Sequence, residues 1–309
     1  MAKRILRWTA ALLLLAIAAL ALWLYAPDKP RAALEAAYPG EYRTVAGLRV
    51  RYVDTGPKDT PTLILLHGFG ASLDTWEPWA KSLSAHYRVI RLDLPGFGLT
   101  GPDPTGDYSD ARTLAVIAGL MDQLGVQSAA LIGNSLGGRF AWEFAARYPA
   151  RVTRLVLISP DGFASPGFEY GKAPEVPLLL EAMPWVGPRS LVRANLAPAY
   201  ADEKALTEQT LTRYRDMLLA PGVRRAILDR TRQTVLTDPS ERLKTIAAPT
   251  LLLWGEKDAM IPVSNAADYQ RLMPNAALVR LPGLGHVPFE EDPARALPPV
   301  ERFLAEAAP

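Results

Sequence analysis

Short runs in which nearly every residue is apolar recur along the chain, each ending in glycines and polar residues. Leu63-Ile64-Leu65-Leu66 runs into His67-Gly68-Phe69-Gly70, and Arg88-Val89-Ile90-Arg91-Leu92 into Asp93-Leu94-Pro95-Gly96-Phe97-Gly98. Ala129-Ala130-Leu131-Ile132 leads into Gly133, and Leu155 to Ser159, Thr250 to Gly255 and Ala277 to Leu281 continue the series. These runs do not alternate, and helical periodicity fills the spaces between them. Unalternating strands separated by helices predict an α/β fold with a mainly parallel sheet covered on both faces. Two earlier segments, Tyr42 to Val45 and Leu48 to Val53, do alternate around Ala46-Gly47, which predicts an antiparallel hairpin.

The rhythm breaks between residues 160 and 243. No strand pattern is found there, prolines stand at 174, 177, 184, 188, 198 and 221, and stretches such as Asp202 to Leu219 read as helix. We expect an inserted helical cap over the strand ends. The α/β core then comprises residues 42–159 and 244–309, closed by a helix from about Ala294 to Ala307. Residues 27–41 read as a linker or short helix.

Residues 1–26 differ from everything that follows. Met1 to Arg7 is basic, and Trp8 to Tyr25 is apolar except for Thr9. A run of about 18 residues reaches the short end of what spans a bilayer and exceeds a usual signal-peptide core. Trp23 and Tyr25 suit the membrane interface. The expectation is an uncleaved membrane anchor, with the body on the periplasmic or extracytoplasmic side. The alternative is a signal peptide cleaved near Ala19-Leu20-Ala21.

Charge and cysteine content narrow the partners. Of the net charge of +2, Lys3, Arg4 and Arg7 supply +3, leaving 2 − 3 = −1 on the rest. A nearly neutral body argues against nucleic acid. With no cysteine, disulfides and thiolate metal sites are excluded.

Between the third apolar run and Phe140 to Arg147, which has helical periodicity, sits Gly133-Asn134-Ser135-Leu136-Gly137. This G-x-S-x-G pattern demands a sharp strand-to-helix turn that presents the serine in a strained conformation. Glycines flank it because a Cβ would collide where helix and strand meet. A tight structural turn would satisfy the same glycines. A serine nucleophile also needs a base, and the base needs an orienting group. Of three histidines, His86 reads as a surface residue and His67 as part of a turn that sets backbone N–H geometry. His286, in Gly285-His286-Val287-Pro288 after the last strand, is the candidate base. Asp258 in the turn after Trp254 is the candidate acid, with Asp161 as runner-up. Glu256 is expected to face solvent, and Asp93 to organise its own loop. Oxyanion donors are expected from the amides of Leu136 and Phe69.

Together, His67-Gly-Phe-Gly, Asp93-x-Pro-Gly-Phe-Gly, Gly133-Asn-Ser-Leu-Gly-Gly, Trp254-Gly-Glu-Lys-Asp258 and Gly285-His286-Val-Pro resemble the α/β-hydrolase superfamily. The resemblance covers about residues 43 to 307 and implies a mostly parallel eight-stranded sheet. Within the superfamily, the set is similar to bacterial lipolytic family V lipases and esterases and to membrane-anchored monoacylglycerol lipases. That implies a serine hydrolase of hydrophobic or lipid esters, working through an acyl-enzyme without cofactor or metal. The same elbow occurs in carbon–carbon hydrolases of ring-cleavage products, which carry Gly-Pro-Gly in the oxyanion loop and a tryptophan after the histidine. Here those places hold Gly68-Phe69-Gly70 and Val287. That activity, or a cofactor-free perhydrolase, is the alternative on the same triad. Dehalogenase and epoxide hydrolase relatives place aspartate where this chain has Ser135.

Overall fold

The computed structural model describes residues 1–164 and 169–306. Eight strands form one sheet: β1 (Glu41–Val45), β2 (Leu48–Thr55), β3 (Thr62–Leu66), β4 (Arg88–Leu92), β5 (Ala129–Asn134), β6 (Val152–Ile158), β7 (Thr250–Gly255) and β8 (Ala276–Leu281). Their spatial order is β1-β2-β4-β3-β5-β6-β7-β8. The pairs of β1 with β2 and β2 with β4 are antiparallel, and all the others are parallel. The expected hairpin turns at Ala46 and Gly47, both with positive φ (48° and 81°) as a tight primed turn requires.

The lack of alternation in the strands has a direct cause. On β3, Ile64 and Leu66 pack with Phe140, Trp142 and Phe144 on one face. Leu63 and Leu65 pack with Trp76, Trp79, Phe289 and Phe303 on the other. A strand buried on both faces gains from an apolar residue at every position.

Helix α1 (Ala2–Leu24) projects from this body and meets it only at its last residues: Lys3–Leu24 has a mean hydropathy of 2.2, and none of its apolar window is buried. Residues 27–41 are more firmly held than a linker. They contain α2 (Arg31–Ala37), whose Leu34 is buried, and Lys29 pairs with Asp216 at 2.5 Å. The helices α3 (Glu77–Leu83), α4 (Asp110–Gln123) and α5 (Leu136–Arg147) connect the central strands.

Between β6 and β7 the described residues contain helices α6 (Arg189–Leu196), α7 (Glu208–Leu218), α8 (Val223–Gln233) and α9 (Ser240–Lys244), with short 3-10 turns and no named strand. Part of the expected cap, residues 165–168, lies outside the described residues. The Asp202–Leu219 stretch is broken rather than continuous. Thr207 stops it by capping α7, its hydroxyl accepting from the Thr210 N–H at 3.1 Å. After β7, α10 (Ala266–Leu272), α11 (Pro288–Glu291) and α12 (Pro293–Ala305) complete the fold. The closing helix thus ends at Ala305, and Ala307 lies outside the described residues.

Candidate active site

Backbone packing alone forces the turn at the end of β5. A Cβ on Gly133 would lie 2.3 Å from the Gly137 carbonyl oxygen, and one on Gly137 would lie 2.2 Å from that of Leu66. No side chain fits either gap. Ser135 bridges them with φ 53° and ψ −119°, a conformation L-residues rarely adopt. Three backbone bonds hold it there. Its N–H donates to Ile158 O at 3.0 Å, and its carbonyl accepts from Arg139 and Asp161, each at 3.0 Å.

His286 reaches the same sheet edge after β8. Its Nδ1 donates to Asp258 Oδ2 at 2.8 Å, which leaves Nε2 as the basic nitrogen. Asp258 is fixed in turn, because Oδ1 accepts from the N–H groups of Met260 and Ile261, both at 2.8 Å. The carboxylate side chain is 0% exposed. Asp161, the runner-up acid, does not bond the histidine. It pairs with Arg139 at 3.2 Å, and burial raises its carboxyl above the ordinary value against the pull of that guanidinium.

A cavity of about 260 Å³ opens between these elements. Ser135, His286, Phe69 and Leu136 all line it, with Arg139, Asp161, Met260 and Ile261 from the sheet side, Arg230 and Thr231 from α8, and Thr234 just after that helix. Among the described residues, neither the Leu136 N–H nor the Phe69 N–H has an acceptor. Leu136 is the first residue of α5, where amides lack intrahelical partners and the helix dipole favours negative charge.

The other histidine of the motif set has a different task. His67 is fully buried, accepting at Nε2 from the Leu94 N–H (3.0 Å), which leaves Nδ1 to donate to the Gly68 carbonyl (2.8 Å). Burial lowers its pKa and keeps it neutral. It therefore pins the turn carrying Phe69 to the loop after β4. Asp93 orders that loop, accepting from the N–H groups of Leu73 and Leu99, each at 2.7 Å.

Several contributors are given no role by the sequence pattern. The Asn134 side chain donates to Ile158 O (3.1 Å) and His286 O (3.0 Å), tying the histidine loop to the serine turn. Ala199 accepts from the His286 N–H at 2.8 Å, so the helical insertion also holds that loop. Arg230 is buried in the cavity wall, where it donates to Pro95 O (2.8 Å) and Tyr108 O (3.2 Å). Burial lowers its pKa to about 10, which still leaves it a cation at neutral pH. Nη2 also donates to Thr113 Oγ1 (3.3 Å), so these two nitrogens tie α8 to the core, while the buried Nε has no partner among the described residues.

The model of the α/β hydrolase fold family matches residues 61–293. The chain belongs to that family. Its relatives point in two directions. A 2-hydroxy-6-oxononadienedioate/2-hydroxy-6-oxononatrienedioate hydrolase of Burkholderia vietnamiensis is 34% identical, covering 77% of this chain and 85% of that protein. Among solved structures, a meta-cleavage product hydrolase from Pseudomonas fluorescens is 27% identical with a TM-score of 0.74, over 86% of this hydrolase and 97% of that chain. A membrane phospholipase A, described as a bacterial virulence factor, is 29% identical with a TM-score of 0.74, over 98% of both chains. The last match leaves 2% of 309 residues, about six, uncovered. Helix α1 has 23 residues, so most of it lies inside that match.

Proposed function

We propose that this α/β-hydrolase is a membrane-tethered serine hydrolase of lipid-derived or other hydrophobic carboxylic esters. Ser135 attacks the ester carbonyl, forming a C–O bond to the acyl carbon. His286 Nε2 takes the hydroxyl proton, and Asp258 holds the imidazole in the required tautomer and stabilises the imidazolium. The tetrahedral oxyanion is met by the N–H groups of Leu136 and Phe69. Collapse expels the alcohol, which takes the proton from His286. Water, deprotonated by the same nitrogen, then releases the acid from the acyl-enzyme. No cofactor or metal takes part. The chain divides into an anchor (1–26), a cap (160–243) and a catalytic core (42–159 and 244–309).

One observation carries the lipid reading: the likeness to the phospholipase extends over the apolar N-terminal helix. Kept in the chain, such a helix holds the active site beside membrane-borne esters. Phe69 and Val287 in place of the proline and tryptophan of carbon–carbon hydrolases support the same choice. The second reading, carbon–carbon hydrolysis of ring-cleavage products, is favoured by the 34% identity to the Burkholderia enzyme. Full-length protein in vesicles should be offered p-nitrophenyl esters and monoacylglycerols of graded chain length beside a 2-hydroxy-6-oxo dienoate. Preference for long-chain esters is expected. Faster cleavage of the dienoate would overturn the assignment.

A further inference from the structure

The N-terminal helix does not end in a free tether. Where it stops, the chain adds itself to the cap. Tyr25 forms an antiparallel bridge with Val186, the Ala26 N–H donates to Trp185 O at 2.8 Å, and the Gly187 N–H donates to Leu24 O at 3.2 Å. One buried guanidinium clamps both sides of this junction. Arg224 Nη1 donates to Ala26 O (2.7 Å) and Val186 O (3.2 Å), while Nη2 reaches Asp28 Oδ1 at 2.6 Å. The Gly222 N–H donates to Asp28 Oδ2 at 3.1 Å, and the Lys29 N–H to Leu219 O at 2.8 Å. The exit segment is part of the cap.

That connection fixes where the cap meets the lipid. The span Lys3–Leu24 is 22 residues long. At about 1.5 Å per residue it reaches roughly 33 Å, against about 30 Å of hydrocarbon, so Leu24 leaves the bilayer at its surface. Hydrogen-bonded neighbours lie about 4.8 Å apart, so Trp185 to Gly187 lie at that same level. Directly preceding them is a 3-10 segment, Leu178–Trp185, in which Leu178 (86%), Leu179 (84%) and Trp185 (55%) are exposed. Behind that segment packs α8, and α8 forms a wall of the catalytic cavity through Arg230 and Thr231.

We infer that Leu178–Trp185 lies in the membrane interface beside the exit of α1. The cap thus faces the bilayer, and acyl chains reach Ser135 from the lipid through the cap. The occupant of this apolar surface is the bilayer, by continuity with the span that ends against it. This inference rests on the reading of α1 as an anchor.

Because the chain has no cysteine, single labels are clean. Full-length Leu179→Cys, Trp23→Cys and Lys81→Cys would each carry bimane in phosphatidylcholine vesicles with or without brominated lipid. Lys81 lies on α3, which packs against α11 and α12. Quenching of Leu179→Cys to a degree similar to Trp23→Cys, with Lys81→Cys unaffected, is expected. Quenching at 23 but not at 179 overturns the inference and leaves the anchor standing. No quenching at 23 removes the anchor, and the inference with it. As a second readout, Leu178→Asp/Leu179→Asp should lower the ratio of vesicle-borne to soluble ester turnover about tenfold, since burying a leucine is worth at least that factor. An unchanged ratio contradicts lipid-side entry.

Discussion

The floor of the site and its roof are held together by different physics. In the floor, strands and α5 approach until only hydrogen fits: Gly133, Gly137 and Gly68 each face another residue's atoms at less than 3 Å from where a Cβ would stand. Backbone bonds then fix Ser135, and the N–H groups of Met260 and Ile261 fix Asp258. The roof is tied mainly by long, charged side chains. Arg224 reaches Ala26, 198 positions away in the chain, and Glu290 accepts from Tyr200 (2.7 Å), Tyr214 (3.0 Å) and Arg213 across the boundary with the core. Chemistry needs a floor that does not move, whereas a roof made of side-chain ties can be re-aimed towards a substrate or a membrane.

The sharpest test of the floor is Ser135→Ala. It should lower ester turnover by roughly 10⁴–10⁶ with no loss of folding, read by steady-state kinetics and thermal melting. Asp258→Asn follows at roughly 10³–10⁴, because the amide neither selects the tautomer nor stabilises imidazolium. Asp161→Asn should cost far less, and equal losses would blur the distinction between the two acids. In the roof, removing residues 1–31 should reduce soluble-ester turnover several-fold, whereas removing 1–24 should not. Only the longer deletion strips Ala26 and Asp28 from Arg224. Arg224→Ala should lower stability by about 2 kcal/mol in denaturant unfolding, leaving the carbonyls of Ala26 and Val186 without their donor.

A further test, in the pH dependence of stability, concerns Glu143 on α5. Burial pushes its carboxyl up to about 7, Asp110 adds to this, and Arg242 opposes it. The folded state therefore binds this proton more tightly than the unfolded chain does. Its contribution to stability is full below about 4.5 and falls as pH rises towards about 7. Glu143→Gln should flatten that slope in denaturant titrations from pH 4 to 8, a change of on the order of 1–3 kcal/mol.

This contrast also explains what the sequence revealed. Close backbone approach admits only glycine, so Gly133 and Gly137 mark the serine turn in any reading of the chain. Burial on both faces makes β3, β5, β6 and β7 visible as unbroken apolar runs. Asp258 and His286 are legible because each follows such a run. Hydrogen bonds between residues far apart in the chain leave no local trace. Nothing near Ala199 marks it as the acceptor for His286, and nothing near Ala26 marks it as a partner of Arg224. That residues 27–41 are tied to the body is not legible, because their polar partners, Asp216 and Arg224, lie almost two hundred positions away.

The central claim is that Ser135 carries the acyl group of an ester. Full-length protein in vesicles, mixed with a long-chain p-nitrophenyl ester and quenched in acid within the first turnovers, can be digested and its peptides weighed. The expected result is the acyl mass on the peptide containing Ser135, absent from Ser135→Ala. An acyl group on any other residue, or product formation with no acylated peptide at all, would contradict it.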